Sequence, residues 1–535
     1  MQEKAFNLLH EQWILVLNLE GETEEVSLLT VLERAHEFRG LAGELPTQDV
    51  AILRLLLATL YATFTRADVQ GNRKPIENAS EALERWQSLW ELKRFPLEPI
   101  KTRLCHYEEH FFLFHPERPF YQVAGLNQGT DYTAAKLLGN LSESGNKVRL
   151  FPVRTGDAKR SISYAEAARW LLYLNAFDDT SSKPSTRGQK MPSPGAGWLG
   201  KLGLIYANGA NLFETLVLNF VLLNDNDEPW SSGNAAWEID EPRTEERVEI
   251  VIPQEQLTLL TLQSRRLLLQ REGGNVVGYR LLGGDFFPKE NAFTEQMTLW
   301  RKDAKKDVYL PKRHDPSKQL WRDFPSFLAD GDDFRKPGIV RWLSRQKERG
   351  RISSMVTLQI ASVKYGDKDF FVTDAFQDSL TINANILSHL GKGWSAQITR
   401  LLSITEDCIK QLFFLAADLA KASGDSDSSH HKAGEGISSA AKAEAYFRLD
   451  MPFRKWLADL DPAQSDIAKA EQDWKDTVQR VLLQLGEDMT HQSGEKGIVG
   501  RWVKSKDDSK GKLYTAPGAL VKFRSNIKRL IVKGG

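Results

Sequence analysis

The spacing of apolar residues changes once along the chain, near residue 380, and the change predicts two kinds of architecture. Before it, short apolar runs of strand character alternate with amphipathic helices. After it, helical spacing dominates, in a last helix from near Pro517 and in three long segments: 394–422, 440–460 and 467–486. The pattern predicts an α+β fold, with a large mixed α/β N-terminal domain over 1–380 and a C-terminal four-helix bundle over 381–535.

The beginning of the chain predicts a strand followed by two helices. The continuous apolar run from Trp13 to Leu17 is typical of a buried strand, and residues 27–39 have helical character. A stronger helix is predicted from Pro46, with Thr47 as its N-cap and Asp49 complementing the helix dipole in the first turn. Its apolar positions recur at the spacing of a helix that faces the core.

Two later segments have the chemistry of a loop and of a β-hairpin. Residues 178–197 are rich in Ser, Pro and Gly and have no periodicity, which predicts a loop. Residues 352–372 alternate apolar and polar positions, with turn chemistry at Gly366-Asp367 and a return strand over Phe370–Thr373. The sequence therefore predicts a hairpin whose tip lies near residue 367.

Composition narrows the class of protein. Neither a disulfide framework nor a cysteine zinc site can form within the chain, because its only cysteines are Cys105 and Cys408. The N-terminus lacks the features of a secretory signal and no apolar run could cross a bilayer, so we expect a cytoplasmic protein.

The net charge is zero, but residues 341–351 carry +4 and residues 496–535 carry +9. Basic patches on a neutral chain favour a subunit that shares a nucleic acid with partners.

Two motifs suggest catalysis, and neither is convincing. His106, Glu109 and His110 match the short H-x-x-E-H zinc pattern, but an aromatic run typical of buried packing follows them. Residues 195–201 match G-x-x-x-x-G-K, but Leu202 stands where a phosphate-binding loop needs a hydroxyl for magnesium. We therefore expect no enzyme, and a zinc-dependent hydrolase using the first motif remains the alternative.

Several blocks, taken in order, resemble one known family. They share their order and spacing with it from residue 6 to about residue 460, and no single block is decisive. The blocks are Phe6–Leu9 with Trp13-Ile14, Arg34–Asp49, His115–Gln122, Pro194–Gly197, Tyr365-Gly366 and Ala445–Arg448. The chain thereby resembles the CasA family, the large subunit of the type I-E CRISPR surveillance complex, Cascade.

The resemblance implies a function in binding rather than in catalysis. CasA proteins recognise the protospacer-adjacent motif (PAM) in double-stranded DNA, mainly from the minor groove, and open the adjoining base pairs for pairing with the CRISPR RNA. They also provide a landing surface for the helicase-nuclease. The implied partners are the other Cascade subunits, the CRISPR RNA, the target duplex and the helicase-nuclease. No cofactor is implied, and we expect no zinc because the Cys-x-x-Cys insertion of some members is absent.

The resemblance also assigns residues to these roles. The family's glycine loop falls on Gly195, Ala196 and Gly197, whose small size would let backbone groups enter a groove about 6 Å wide. Trp198 follows, where the family continues with glycine, and would anchor the loop or stack on a sugar. The remaining assignments are a wedge at Asp367, Lys368 and Asp369, a PAM-contacting lysine at Lys289, and a contact to the CRISPR RNA handle at Phe151.

Three of these assignments have a simpler alternative. The glycine loop could be a plain connector, the hairpin tip a solvent-exposed turn, and Phe151 a core residue. The two carboxylates that flank Lys368 at the tip would be unfavourable close to DNA. For the whole chain, the alternative to CasA besides the hydrolase is a helical scaffold of another ribonucleoprotein.

Overall fold

The computed structural model describes residues 4–143, 148–181, 194–241, 243–245, 247–328, 334–424, 431–505 and 508–533. Most of the loop predicted over 178–197 lies outside these residues. The chain divides into two compact units: an N-terminal unit of residues 1–318, 330–351 and 356–379, and a C-terminal unit of residues 319–329, 352–355 and 380–535. Sheets together with helices in the first unit, and long helices with the β16–β17 hairpin (Arg501–Ser505 and Asp508–Tyr514) in the second, confirm the α+β class.

The strands form small sheets, and most neighbouring strands are antiparallel. The sheets of three strands have the orders β3-β2-β4, β6-β10-β9 and β15-β14-β7, and the parallel pair is β8 with β11. The strands are β1 (Ala5–Asn7), β2 (Ile14–Asn18), β3 (Thr23–Val26), β4 (Phe38–Leu41), β5 (Phe112–Phe114), β6 (Thr130–Thr133), β7 (Tyr206–Asn208), β8 (Val248–Glu249), β9 (Arg265–Glu272), β10 (Asn275–Gly283), β11 (Asp285–Phe286), β12 (Trp300–Asp303), β13 (Val308–Pro311), β14 (Met355–Tyr365), β15 (Val372–Asn383), β16 (Arg501–Ser505) and β17 (Asp508–Tyr514).

The α-helices differ in length between the two units, and the longest are in the C-terminal unit. They are α1 (Leu28–Glu33), α2 (Pro46–Phe64), α3 (Ala79–Leu92), α4 (Leu97–Cys105), α5 (Ala134–Leu137), α6 (Tyr164–Phe177), α7 (Leu212–Leu218), α8 (Gln256–Leu260), α9 (Phe324–Leu328), α10 (Gly338–Glu348), α11 (Lys392–Ser423), α12 (His431–Ala458), α13 (Ile467–Gln492), α14 (Gly494–Val499) and α15 (Ala516–Lys533). None of the described helices is both long enough and apolar enough to span a bilayer.

Helix α2 is the centre of the N-terminal unit, and nearly all of its residues are buried. The prediction of Thr47 as its N-cap was wrong: Leu45 has the extended backbone of a cap, and Pro46 begins the helix because its φ is preset and it has no N–H to satisfy. The helix predicted over 27–39 ends at Glu33, and β4 begins at Phe38 to pair with β2. Pairing with a neighbouring strand overrode the local helical spacing there.

Helix α6 leads from this core to the candidate site. Ser163 caps it by accepting the backbone N–H of Glu166, and almost every following residue is buried. The helix ends at Phe177, and Asp178 and Asp179 follow it at 5% and 2% exposure. Buried carboxylates need partners, so the segment after α6 is a place where charged side chains must converge.

The C-terminal unit contains the four predicted long helices, α11, α12, α13 and α15. Trp474 of α13 donates from Nε1 to Thr405 Oγ1 of α11 at 3.0 Å, and its ring lies 5.1 Å from that of Phe453 of α12. Lys522 of α15 donates to Asp418 of α11 at 2.7 Å. A short helix, α14, and the β16–β17 hairpin precede α15, and the apolar periodicity did not predict either of them.

Candidate nucleic-acid interface

The glycine loop, residues 194–198, packs against the end of α6. The N–H of Gly197 donates to the Asp178 carbonyl at 2.9 Å. A Cβ at Gly197 would lie 2.5 Å from the Ala176 carbonyl oxygen, so glycine is required here by the contact with α6. The absence of a side chain at Gly197, which was expected to give DNA access to the backbone, is therefore needed for packing against α6.

Trp198 anchors the loop to the core of the N-terminal unit. Its indole is 3% exposed, donates from Nε1 to Glu295 Oε2 at 2.8 Å, and packs on the ring of Phe287 with 4.2 Å between centroids. Glu295 also accepts two bonds from Arg54 of α2, at 2.9 and 3.0 Å. Ala196 is 2% exposed as well. The burial of Trp198 favours anchoring over stacking on a sugar, and Gly195 is the more accessible end of the loop.

The β14–β15 hairpin tip lies beside this loop. Thr180 donates from its backbone N–H to the carbonyl oxygen of Asp369 at 3.1 Å and from Oγ1 to that of Lys368 at 2.7 Å. In the 3₁₀ turn Leu199–Lys201 that follows the loop, a Cβ at Gly200 would lie 2.1 Å from the hydroxyl of Tyr365. Tyr365 in turn donates to the Phe177 carbonyl at 2.7 Å. Loop and tip are thus built on the same short segment that follows α6.

The tip has a strained and well-supported backbone. Lys368 and Asp369 have φ values of 53° and 60°, and Phe371 has 63°. Such conformations cost on the order of 1 kcal/mol or more each in residues other than glycine and persist where surrounding contacts determine them. Thr180 supplies two of these contacts. The return strand β15 is also longer than predicted, so the tip stands on a long pair of strands.

The charge of the tip differs from what its sequence suggests. Arg313 donates to both carboxylate oxygens of Asp369, at 2.6 and 2.9 Å, in the bidentate geometry that favours specificity. One of the two carboxylates that appeared unfavourable near DNA is therefore compensated. Asp367 and Lys368 are exposed to solvent.

Arg265 joins the glycine loop to the segment after α6 through buried contacts. Its guanidinium is buried and forms an ion pair with Asp178, and it donates from Nη2 to the carbonyl oxygens of Gly195 at 2.9 Å and Asp179 at 3.0 Å. Asp179 is paired in turn with Lys136 at 2.6 Å, and the Lys136 ammonium lies 4.8 Å from the ring centroid of Phe371 in the hairpin. This buried charge network connects loop and tip.

Lys201 lies in a concentration of positive charge. Its Nζ donates to the Pro194 carbonyl at 2.6 Å. Burial, together with the neighbouring cations Arg265, Lys289 and Arg313, lowers the pKa of Lys201 to about 8, and Asp369 acts in the opposite direction. Lys289 is therefore within electrostatic range of the loop. It is exposed and follows Phe287, the ring that packs on Trp198.

Phe151 lies at the surface. It is 93% exposed and its neighbour Leu150 is 91% exposed, so the core alternative for Phe151 was wrong. Two residues earlier, Arg149 donates to the carbonyl oxygens of Leu141 at 2.7 Å and of Val372 in β15 at 3.1 Å. The segment that presents Phe151 is thus attached to the start of β15, close to the hairpin tip.

The zinc motif does not have the geometry that its spacing suggests. Helix α4 ends at Cys105, His106 is its C-cap, and a 3₁₀ turn follows, so His106 and His110 are not one α-helical turn apart. Glu109 is bonded to Lys4 and to His115 Nε2. Among the described residues, no group of three or more His, Cys, Asp or Glu is placed to hold a metal ion.

The glycine loop, the tip and Lys289 were predicted to share one function, and in the structure the loop and the tip are joined while Lys289 is within electrostatic range of Lys201. Four residues that hold the loop and the tip together were not predicted: Thr180, Lys136, Arg265 and Arg313. Arg265 lies just before the apolar run Leu267–Leu269 of β9, and an arginine beside such a run was the one available signal. Arg313 lies in a polar stretch with no pattern that distinguishes it.

Comparisons with known proteins show the family and the fold of the chain. The model of the family described as CRISPR-associated protein Cse1 matches residues 7–485. The CRISPR-associated protein CasA/Cse1 of Thermus thermophilus is 33% identical over 331 residues, which span 61% of this chain and 60% of the relative. The crystal structure of Thermobifida fusca Cse1 superposes with a TM-score of 0.82 at 28% identity, covering 99% of each chain. A chain of a CRISPR RNA-guided surveillance complex superposes with a TM-score of 0.71 over 98% of this chain and 100% of that one; at 17% identity, this likeness shows the fold alone.

Proposed function

Because this chain belongs to the CRISPR-associated protein Cse1 family, also named CasA, the large subunit of type I-E Cascade, we propose that it recognises the PAM in double-stranded DNA and starts the separation of the two strands. It works with the other Cascade subunits and with the CRISPR RNA, in the cytoplasm. After strand separation it helps to recruit the helicase-nuclease. It acts by binding and not by catalysis.

One observation carries the proposal. The glycine loop and the hairpin tip are joined through the segment after α6, with two hydrogen bonds from Thr180 to the tip and one from Gly197 to Asp178. A duplex that meets the exposed tip therefore meets the accessible end of the loop and the cations around Lys201 as well. Positive charge holds the phosphates, and the tip faces the base pairs.

The exposed side chains make different contacts with the DNA. Lys368 is long enough to enter a groove, and Lys289 contacts the PAM bases or the adjoining phosphates. Asp367 offers a carboxylate, which can accept from the N2 amino group of guanine, the one donor that base pairs present in the minor groove. Gly195 brings backbone groups to the same place, while Ala196, Gly197 and Trp198 contribute by fixing the loop from inside.

The supported tip is suited to act as a wedge. Unstacking a base step costs a few kcal/mol, which a soft turn would lose by bending. The bonds from Thr180 and the bidentate bond from Arg313 restrain the tip of this hairpin on two sides. Phe151, on the segment joined to β15 by Arg149, provides a flat surface for the CRISPR RNA handle.

The decisive experiment compares the complex with and without this chain. Cascade reconstituted with a CRISPR RNA is titrated with targets that differ in the PAM alone, and binding is followed by gel shift. We expect PAM-dependent binding only when the chain is present. Equal binding to all PAM variants, with the chain verified in the complex, would contradict the proposal.

Single substitutions test the residues. Lys368→Ala and Lys289→Ala should each weaken binding to the correct PAM by about 5- to 150-fold, the range for loss of one specific base contact. Lys305→Ala is the matched control, because Lys305 is an exposed lysine of the same unit in the turn between β12 and β13. If Lys305→Ala has the same effect as the other two, the positions contribute only general charge.

A further inference from the structure

The β16–β17 hairpin lies beyond residue 485, where the match to the family ends. Its register pairs Arg501 with Tyr514, Trp502 with Leu513, and Val503 with Lys512. Because directly paired residues share a face and side chains alternate along a strand, Trp502 and Leu513 form one face and the other two pairs form the opposite face. The two faces have different environments.

The face with Tyr514 is the one fixed to α11. The ammonium groups of Lys421, in the last turn of α11, and of Lys512 lie 4.9 and 5.5 Å from the ring centroid of Tyr514. Arg501 Nη1 is 3.1 Å from where a Cβ of Gly424, the C-cap of α11, would stand. Cations are favourable at a helix C-terminus. These contacts attach the hairpin to the end of α11.

The opposite face is open to solvent and carries the most exposed tryptophan of the chain. Trp502 is 66% exposed and Leu513 is 47% exposed. The chain has fourteen tryptophans, all within the described residues, and the other thirteen are buried or half-buried. Trp502 therefore presents a large flat π surface to solvent, next to the exposed Leu513.

The C-terminal sequence that contains Trp502 is strongly basic. From Lys496 to the end, the sequence contains eleven Lys or Arg and two Asp. Helix α15 has no acidic residue, and although Lys522 is paired with Asp418 and Arg524 with Glu487, Lys528 and Arg529 are exposed. Arg501 and Lys512, which are next to Trp502 and Leu513 along the two strands, are also exposed, so the hairpin combines an open π surface with positive charge on the adjacent residues.

We propose that the β16–β17 hairpin is a binding site for single-stranded nucleic acid, in which a base stacks on Trp502 and the surrounding lysines and arginines attract the phosphates. An aromatic platform in a basic environment is the common basis of single-strand binding, because every base has a π face and every linkage has a charge. A stacked duplex offers no free base face away from its ends. An apolar protein partner would use Trp502 together with the exposed Ile498 and Val499 of α14, but would have no need of the positive charge.

The test uses the full-length chain alone, so it is independent of PAM recognition in the complex. Fluorescence anisotropy is measured with labelled oligo-dT and oligo-U of 20 nucleotides and with a duplex of the same length. Trp502→Ala should weaken single-strand binding by about 5- to 150-fold, and Trp502→Phe, which keeps an aromatic face, should restore most of it. Phe447→Ala is the matched control, because Phe447 is an aromatic residue of α12 with 73% exposure, and it should bind as the wild type does.

Each outcome decides for or against the site. A Trp502-dependent preference for oligo-dT assigns the strand as DNA, and one for oligo-U assigns it as RNA. Equal affinities of wild type and Trp502→Ala, or equal losses in Trp502→Ala and Phe447→Ala, would overturn the proposal. So would normal single-strand binding by Trp502→Ala combined with loss of its assembly into Cascade, which would make the face a protein interface. Unchanged thermal melting of Trp502→Ala, expected for an exposed residue, shows that folding is intact.

Discussion

Arg265 should be the residue whose loss damages the candidate site most, although it cannot touch DNA. Its guanidinium and the Asp178 carboxylate are 1% and 2% exposed. Arg265→Met keeps most of the side-chain volume but removes the cation that is paired with the buried Asp178 carboxylate and one donor to the carbonyl oxygens of Gly195 and Asp179. Breaking a buried pair from one side typically costs about 3–5 kcal/mol of unfolding free energy.

The assay is urea denaturation of the full-length chain, together with PAM discrimination by the reconstituted complex. Asp178→Asn in the Arg265→Met background removes the charge of the buried carboxylate. It should recover a large part of the lost unfolding free energy, since replacing both partners is far less costly than removing one. We also expect the variant to lose PAM discrimination, because Arg265 holds the carbonyl of Gly195, the half-buried residue of the otherwise buried loop.

Arg280→Met provides the matched control. Arg280 lies on β10, next to β9, and forms an ion pair with Asp131 that is open to solvent, with side-chain exposures of 29% and 54%. Water screens such a pair, so its loss should change stability little. If Arg265→Met is no more destabilised than Arg280→Met, or if Asp178→Asn gives no recovery, the role assigned to the buried network is wrong.

Three further predictions address the tip, the pH dependence and the zinc motif. Replacing Asp367–Asp369 by glycine should slow R-loop formation on linear duplex but spare binding to targets melted in advance; equal rates on both would end the wedge assignment. The pKa of Lys201 is about 8 in the folded chain, below its ordinary 10.5, so Lys201 loses its charge as pH rises through 8. Because nearby phosphates favour the charged form, affinity for the PAM duplex should fall between pH 7 and 9 at constant ionic strength. The Lys201→Met variant should lack the part of this decrease that is caused by deprotonation of Lys201. His106→Ala should leave PAM binding unchanged, and metal analysis of the purified chain should show no stoichiometric zinc.

The sequence by itself determined the local elements and the family. The helical spacing of apolar residues predicted α2 and the four long helices of the C-terminal unit, because a helix that packs on a core repeats its contacts every three or four residues. The alternation over residues 352–372 likewise predicted the hairpin, and the order of short blocks identified the Cse1 family. These patterns lie within short stretches of the sequence, or in the order of such stretches along the chain. They can therefore be recognised from the sequence alone.

Only the tertiary structure decided what each side chain does. Trp198 is buried against Phe287 and Glu295, whereas Trp502 and Phe151 are exposed, and neighbouring residues in the sequence do not distinguish these three cases. The bond from Thr180 to Lys368 joins residues 188 positions apart. Burial and ion pairing depend on which distant segments meet in space, and one sequence, read locally, does not contain that information.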